Sequence, residues 1–365
     1  MSFESGSVSF RILYLPRDLP PDAVERFARY AAPPIDTLGV GEINGWVTGR
    51  HLLDRNISSD TAYYAGFLRL SLMHAERKIP EPLLRAECKM QEIALMQAEG
   101  RDRLSATIRR EIRNEVTERL LPTMPPVLRG IGMIYDATTR FIYTTALSDK
   151  QLDAFQIGFA QVVGAGGVPV IPQTVSLQRR NRSIDGWDPV SFSPEVEPED
   201  VIHDAGLDFL TWLWFVSEAR GGMLKLKELG DWAVMIEGPL TFVMEGSGAH
   251  EIVMRRGEPR LSAEAKASLL AGKKLRRAKL TLARGEESWT CTFDAQAFTV
   301  RGLNLPEGEK LDTISKFQER MQLLDLFKEA LFLLFDRFCE EREDKSWSKT
   351  AEEIHKWVKE RKTRT

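Results

Sequence analysis

Between Lys274 and Val300 the sequence alternates with a period of two, and no other stretch constrains the fold as tightly. Ala278, Leu280 and Leu282 are apolar in the first segment, Trp289, Cys291 and Phe293 in the second, and Phe298 and Val300 in the third. Arg277, Lys279, Thr281, Thr290, Thr292, Thr299 and Arg301 take the opposite parity. A helix of period 3.6 cannot sort residues this way. An antiparallel meander with one buried face can. Its other face is then a surface of hydroxyls and cations. A short helix precedes it, with Ser262 as N-cap, Glu264 in the first turn where the dipole favours an acid, and Gly272 at the end.

The meander and its approach are strongly basic. From Val253 to Glu286 there are ten Lys or Arg against three Glu. Two readings of this stretch stand side by side. Thr, Lys and Arg are ordinary on a solvated strand face. Cations spaced on a rigid sheet also contact phosphates without reading bases. The whole chain has a net charge of −3, so a nucleic-acid role requires a local patch, or a ring or groove that gathers positive charge while the outside stays acidic.

At 365 residues the chain is long enough for one to three domains and for a core that needs no disulfides. Cys88, Cys291 and Cys339 are isolated and form no CxxC, which points to a reducing cytoplasm. The longest apolar run, Ala330–Phe335, is too short to span a bilayer, and the first residues lack a basic-then-apolar signal. A soluble, intracellular protein is expected.

Along the chain, Val8–Leu15 reads as a strand, Pro20 to Ala31 as a helix, and Tyr63–Met73 as a second strand. Pro80 and Pro82 open a helix from Glu81 to Glu99, ended by Gly100. Ser105 caps the next helix, with Leu104, Ile108, Ile112, Val116 and Leu120 as its apolar stripe and Arg109, Arg110, Arg113 and Arg119 off it. A hairpin follows, Ile131–Asp136 with Arg140–Ala146, and Ser148-Asp149 starts a helix to Val163. The Gly164–Gly167 cluster comes after a helix and before the strand-like Val168–Val175, the reverse of a phosphate loop. Residues 177–204 are polar and Pro-punctuated, with an acidic run Glu195–Asp200. The helix at Asp208–Ala219 is dense in aromatics. Trp212, Trp214 and Phe215 suit a core, or stacking on bases. Trp232–Glu237 and Leu240–Met244 read as two strands. Asp312–Glu341 reads as a long helix with a wide apolar face, to be docked on the body or on a partner, and Asp344–Thr365 as an amphipathic tail.

Catalytic motifs do not stand out. The five histidines lie far apart, and there is no HExxH, GxSxG, Walker A or GxGxxG. The acid pairs Glu237 with Glu245 and Asp204 with Asp208 suit a Mg²⁺ nuclease in principle, although single acids are normal at strand ends and helix starts. No catalytic residue, metal ligand or cofactor is assigned.

The order of segments resembles the RdgC family, the recombination-associated DNA-binding proteins of bacteria. The resemblance is carried by Gly45-Trp46-Val47, by Arg77-Lys78-Ile79-Pro80 opening a helix pair that closes on Leu120-Leu121-Pro122, by the hairpin Ile131–Ala146 and Ser148-Asp149-Lys150, and by Val168-Pro169-Val170-Ile171-Pro172. Its most specific part is Leu261-Ser262-Ala263-Glu264, Ala271-Gly272-Lys273 and Lys279-Leu280-Thr281-Leu282, followed by paired strands to Leu305. The match covers most of Lys78–Leu305 and, more weakly, Val8–Val47.

The resemblance implies an α+β protein, mostly antiparallel sheets with flanking helices, that closes with a second copy into a homodimeric ring. Double-stranded DNA would pass through a positive hole and be bound without sequence preference, restraining RecA-dependent strand exchange in the nucleoid of the cytoplasm. Lys273, Arg277 and Arg255 fall on basic positions of the family pattern. Arg256, Lys274, Arg276, Lys279 and Arg301 are further cations of this chain. Thr123-Met124-Pro125 departs from the family, which places a basic residue and an aromatic after Leu-Leu-Pro. The expected division is an α+β region over 1–178, a linker over 179–206, a region with the basic meander and long helix over 207–341, and a tail over 342–365, none folding independently. A metal-dependent nuclease and a protein-interaction scaffold with a basic face are the alternatives.

Overall fold

The computed structural model describes residues 3–244, 251–309 and 312–363. The chain divides into two compact units, both discontinuous. Unit 1 comprises Met1–Asp18, Tyr135–Asp149 and Gly167–Thr365, and unit 2 comprises Leu19–Ile134 and Lys150–Gly166. Neither coincides with the sequential division expected from composition.

In chain order, β1 (Val8–Tyr14) belongs to unit 1. Unit 2 then supplies α1 (Ala23–Arg29), β2 (Glu42–Thr48), α2 (Ser59–Ala62), β3 (Tyr63–Tyr64), β4 (Phe67–Arg77), α3 (Glu81–Glu99), α4 (Ala106–Leu120) and most of β5 (Pro126–Asp136). After β6 (Phe141–Thr144) in unit 1, α5 (Asp149–Val163) returns to unit 2. The remainder is unit 1. It runs through β7 (Val168–Pro169), α6 (Pro172–Arg180), α7 (Ala205–Ala219), β8 (Met223–Leu226), β9 (Gly230–Val243), β10 (Glu251–Met254), α8 (Ala263–Leu270), β11 (Lys274–Arg284), β12 (Glu287–Asp294), β13 (Thr299–Asn304), α9 (Thr313–Glu343) and α10 (Trp347–Glu360). The α+β class, with antiparallel pairing, is as the sequence predicts.

In unit 1 the strand order is β10-β9-β11-β12-β13-β1-β6, with β8 on β9 and β7 on β1. The alternation that sets this sheet holds. Ala278, Leu280, Leu282, Trp289, Phe293, Val300 and Leu303 are all at most 1% exposed. Against this inner face lie α7 and α9. Asp204 caps α7 by accepting from the Gly206 and Leu207 amides. Every residue from Ala205 to Val216 is buried, so a helix with no polar side is enclosed on all sides. Phe209 forms its centre, with the rings of Phe293, Phe298, Phe335 and Phe338 between 5.3 and 6.4 Å away. Each such ring contributes about 1.5–3 kcal/mol on burial. The wide face of α9, from Phe317 through Leu324, Leu331 and Phe338, is buried within its own chain.

Unit 2 shows what Gly45-Trp46-Val47 is for. β2, a strand that the sequence pattern does not mark, runs beside β4 with Trp46 opposite Leu72. A side chain at Gly45 would lie 2.4 Å from the Ala32 Cα, so only glycine lets residues 31–32 approach. Trp46 then fills the space between Phe27, Phe155 and Phe159, with ring centroids 4.7–6.5 Å away, and its Nε1 donates to Gly158 O. This motif is packing.

Two local readings change. Val168–Val175 is not one strand. Only Val168–Pro169 pairs with β1, and α6 begins at Pro172, whose missing N–H costs nothing in a first helical turn. Thr174 Oγ1 accepts from the Ile171 amide and donates to Pro169 O, which fixes the entry. The segments Trp232–Glu237 and Leu240–Met244 are one continuous strand, β9, to Val243.

The helix pair α3–α4 packs through Ile79, Leu84, Leu104, Ile112 and Val116. Ser105 accepts from the Ile108 amide as the expected N-cap. Arg113 and Arg119 are ion-paired across the pair to Glu81 and Glu87, at 3.2 and 2.8 Å. Among the described residues no helix is long and apolar enough to cross a membrane.

Candidate nucleic-acid interface

The outer face of the β9-β11-β12-β13 sheet is where the sequence places its phosphate contacts. Antiparallel register builds it in cross-strand rows. One row runs Glu237, Lys279, Thr292, Arg301, and the next Thr241, Arg277, Asp294, Thr299. Cations therefore share rows with acids. Lys279 Nζ lies 2.9 Å from Glu237 Oε2. Arg277 Nε donates to Asp294 Oδ2 at 2.5 Å, and Arg276 Nε approaches the same oxygen at 3.4 Å. Arg277 also reaches Glu251 at 3.6 Å. Thr281 and Thr290 bond each other at 3.1 Å. Such a face is close to charge-balanced; the half-exposed Lys279–Glu237 pair contributes about 0–1 kcal/mol, whereas the Asp294 carboxylate is buried beneath its arginines.

Thr299 is not on a wet surface. It is 1% exposed and accepts from Arg11 Nε at 3.0 Å, while Arg11 also pairs with Asp149. Thr281, Thr290 and Thr292 are half-buried, and Thr241 is 5% exposed.

Lys274 is a correction of a different kind. It is 1% exposed, its Nζ lies 2.5 Å from Asp208 Oδ1, and it donates to Ile202 O at 2.7 Å. The Phe192 ring lies 5.8 Å away. Position 274 shares the parity of Ala278, Leu280 and Leu282, the buried side of the strand, although the β11 register shifts between Leu275 and Arg277. This cation holds α7 to β11. Burial pushes the Asp208 carboxyl up, and Lys274 opposes that shift. Lys273, in the turn after Gly272, is 8% exposed and so is also not an open contact in this conformation.

Arg255 and Arg256 are exposed just beyond β10, and neither has a carboxylate partner among the described residues. Arg301 is exposed on β13, with its guanidinium 3.5 Å from Leu147 O. Of the eight residues singled out, Arg276, Arg277, Lys279 and Arg301 share the sheet face, Arg255 and Arg256 stand apart from it, and Lys273 and Lys274 are buried.

The acids that neutralise the face are what sequence reasoning missed. One signal was available. Counting outward from the Gly285-Glu286 turn sets Arg277 opposite Asp294, a register that the meander itself implies. Asp208 and Glu237 come from more distant segments and leave no such trace.

Trp212, Trp214 and Phe215 are at most 2% exposed, so the aromatic helix is core and has no free ring face for bases. The proposed acid pairs are otherwise engaged. Asp204 caps α7 and accepts from Gln296, Asp208 holds Lys274, and Glu237 holds Lys279. Glu245 lies outside the described residues. Among those described, no three His, Cys, Asp or Glu side chains gather as a metal-holding group.

Compared with family models and with curated proteins, the sequence matches none.

Proposed function

We propose that the protein binds double-stranded DNA through backbone phosphates, without reading bases, and that by occupying the duplex it restrains RecA-dependent strand exchange. The observation that carries the reading is the set of exposed arginines, Arg255, Arg256 and Arg301, with no carboxylate partner among the described residues of a chain whose net charge is −3. The ordered resemblance to RdgC proteins supports it, and it brings with it a second copy of the chain and a place in the nucleoid. Guanidinium groups suit phosphate oxygens because their planar fork donates two parallel hydrogen bonds. Arg277 and Lys279 join them by exchanging Asp294 and Glu237 for phosphate. The test is retention of unrelated duplexes by the purified protein at low salt, with a steep loss as salt rises.

One observation favours a second reading. The pairing of Lys279 with Glu237 and of Arg277 with Asp294 leaves a polar, nearly neutral sheet face, which suits a protein partner better than a polyanion. A protein-interaction scaffold is the reading that remains if no duplex is bound at low salt.

A further inference from the structure

The acidic run that composition marks as a linker is anchored at both of its ends to the basic turn between α8 and β11. Ser193 Oγ donates to Leu270 O at 2.5 Å. The side chains of Val196 and Val201 close over Gly272, standing 3.1–3.3 Å from where a Cβ would be. Ile202 O accepts from Lys274 Nζ at 2.7 Å, and Phe192 presents its ring to the same ammonium. Between these anchors Glu195, Glu197, Glu199 and Asp200 point to solvent, and no cation pairs with them among the described residues. Pro194 and Pro198 stiffen the segment, which lowers the entropy lost in holding it there.

We infer that residues 192–202 are an autoinhibitory strap: they close over Gly272 and Lys274 and set four carboxylates over the turn where a phosphate backbone would otherwise approach. The inference rests on the duplex-binding reading. Its physics is simple. The turn is basic in sequence, yet Lys273 is 8% and Lys274 1% exposed: Ile202 and Phe192 of the strap close over Lys274 together with Asp208 of α7, and Val196 and Val201 stand over Gly272. Four unpaired carboxylates within a Debye length of that turn repel a polyanion at low salt and are screened at high salt. The strap is held by the Ser193 hydroxyl, Val196 and Val201, the Ile202 carbonyl and the buried Phe192 ring. It can lift without unfolding the sheet beneath it, while the Lys274–Asp208 pair stays in place. A polyanion cannot bind the turn until the strap moves, so strap and duplex exclude each other.

The experiment is fluorescence anisotropy of a labelled duplex with the full chain at low salt, using three variants beside the unaltered protein. Neutralising the strap (Glu195→Gln, Glu197→Gln, Glu199→Gln, Asp200→Asn) is expected to tighten binding about tenfold. Removing the same charge elsewhere (Glu25→Gln, Asp36→Asn, Glu352→Gln, Glu360→Gln) is expected to give less than about a third of that gain. A charge-silent variant, Ser193→Ala with Val196→Ala, loosens the anchors and is expected to tighten binding about threefold. If the unaltered protein binds and the strap and control variants shift alike, the strap is overturned and duplex binding stands. If no variant binds at low salt, both readings fail together.

Discussion

Lys274 Nζ lies 2.5 Å from Asp208 Oδ1 with both side chains at most 2% exposed, so the most basic stretch of the chain spends one of its cations inside the core. Breaking such a pair by removing one partner leaves a buried charge and costs about 3–5 kcal/mol, whereas replacing both by apolar groups of similar volume is often neutral. Lys274→Met should therefore destabilise strongly, and Lys274→Met with Asp208→Leu should recover most of the loss in urea unfolding. Equal destabilisation by the single and double variants would contradict the pairing.

Arg361 anchors the tail helix. Its guanidinium makes two hydrogen bonds to Glu218, at 2.6 and 2.9 Å, and stacks 4.0 Å from the Trp214 ring centroid. Trp357 donates to the same carboxylate. Arg361→Ala should cost about 3 kcal/mol and raise amide exchange throughout α10. Arg361→Lys should not rescue it, because an ammonium supplies neither the fork nor the stacking plane. Unchanged exchange in α10 would count against the anchor.

Glu343 gives the fold an acid limit. The hydrogen bond from Arg180, together with Arg182, holds its carboxyl below the usual 4.5. Because the folded value is the lower one, the stabilisation is present above the unfolded value and is lost as pH falls through the folded value. Glu343→Gln should lower stability by about 1–2 kcal/mol at neutral pH and flatten its decline into acid. A variant whose stability falls with acid as steeply as the unaltered chain would remove Glu343 from the account.

The sheet was legible in the sequence because its period is two and its core residues are large. Trp289, Phe293 and Leu280 cannot alternate by chance over three segments and still leave another fold available. Helix ends were legible where a side chain caps them, as at Ser105 and Ser262. The candidate face was legible only as a set of cations. Its charge state depends on Glu237 and Asp294, which are set beside Lys279 and Arg277 by register, and on a strap that composition marks as a linker. Lys274 takes the parity of the apolar positions Ala278, Leu280 and Leu282, so the alternation itself marks it for the buried side despite its charge.

Association with a second copy is a separate expectation. The apolar face of α9 is used internally and is not free for it. Leu83, Met90 and Ile93 on α3 are 37–60% exposed and lie on one helical stripe. Light scattering in dilute solution should return about twice the chain mass of 41.4 kDa, and Met90→Glu with Ile93→Glu should return the monomer. A monomer for the unaltered chain would set the ring aside and leave the open sheet face.

The most direct measurement of the central claim is the salt dependence of duplex binding for the unaltered protein and for Arg255→Ala with Arg256→Ala, on two unrelated sequences. The account predicts equal affinity for the two sequences, a steep log–log fall with salt, and a slope smaller by about two in the variant, about 0.9 for each phosphate no longer neutralised. A strong preference for one sequence, or the same slope in both proteins, would contradict it.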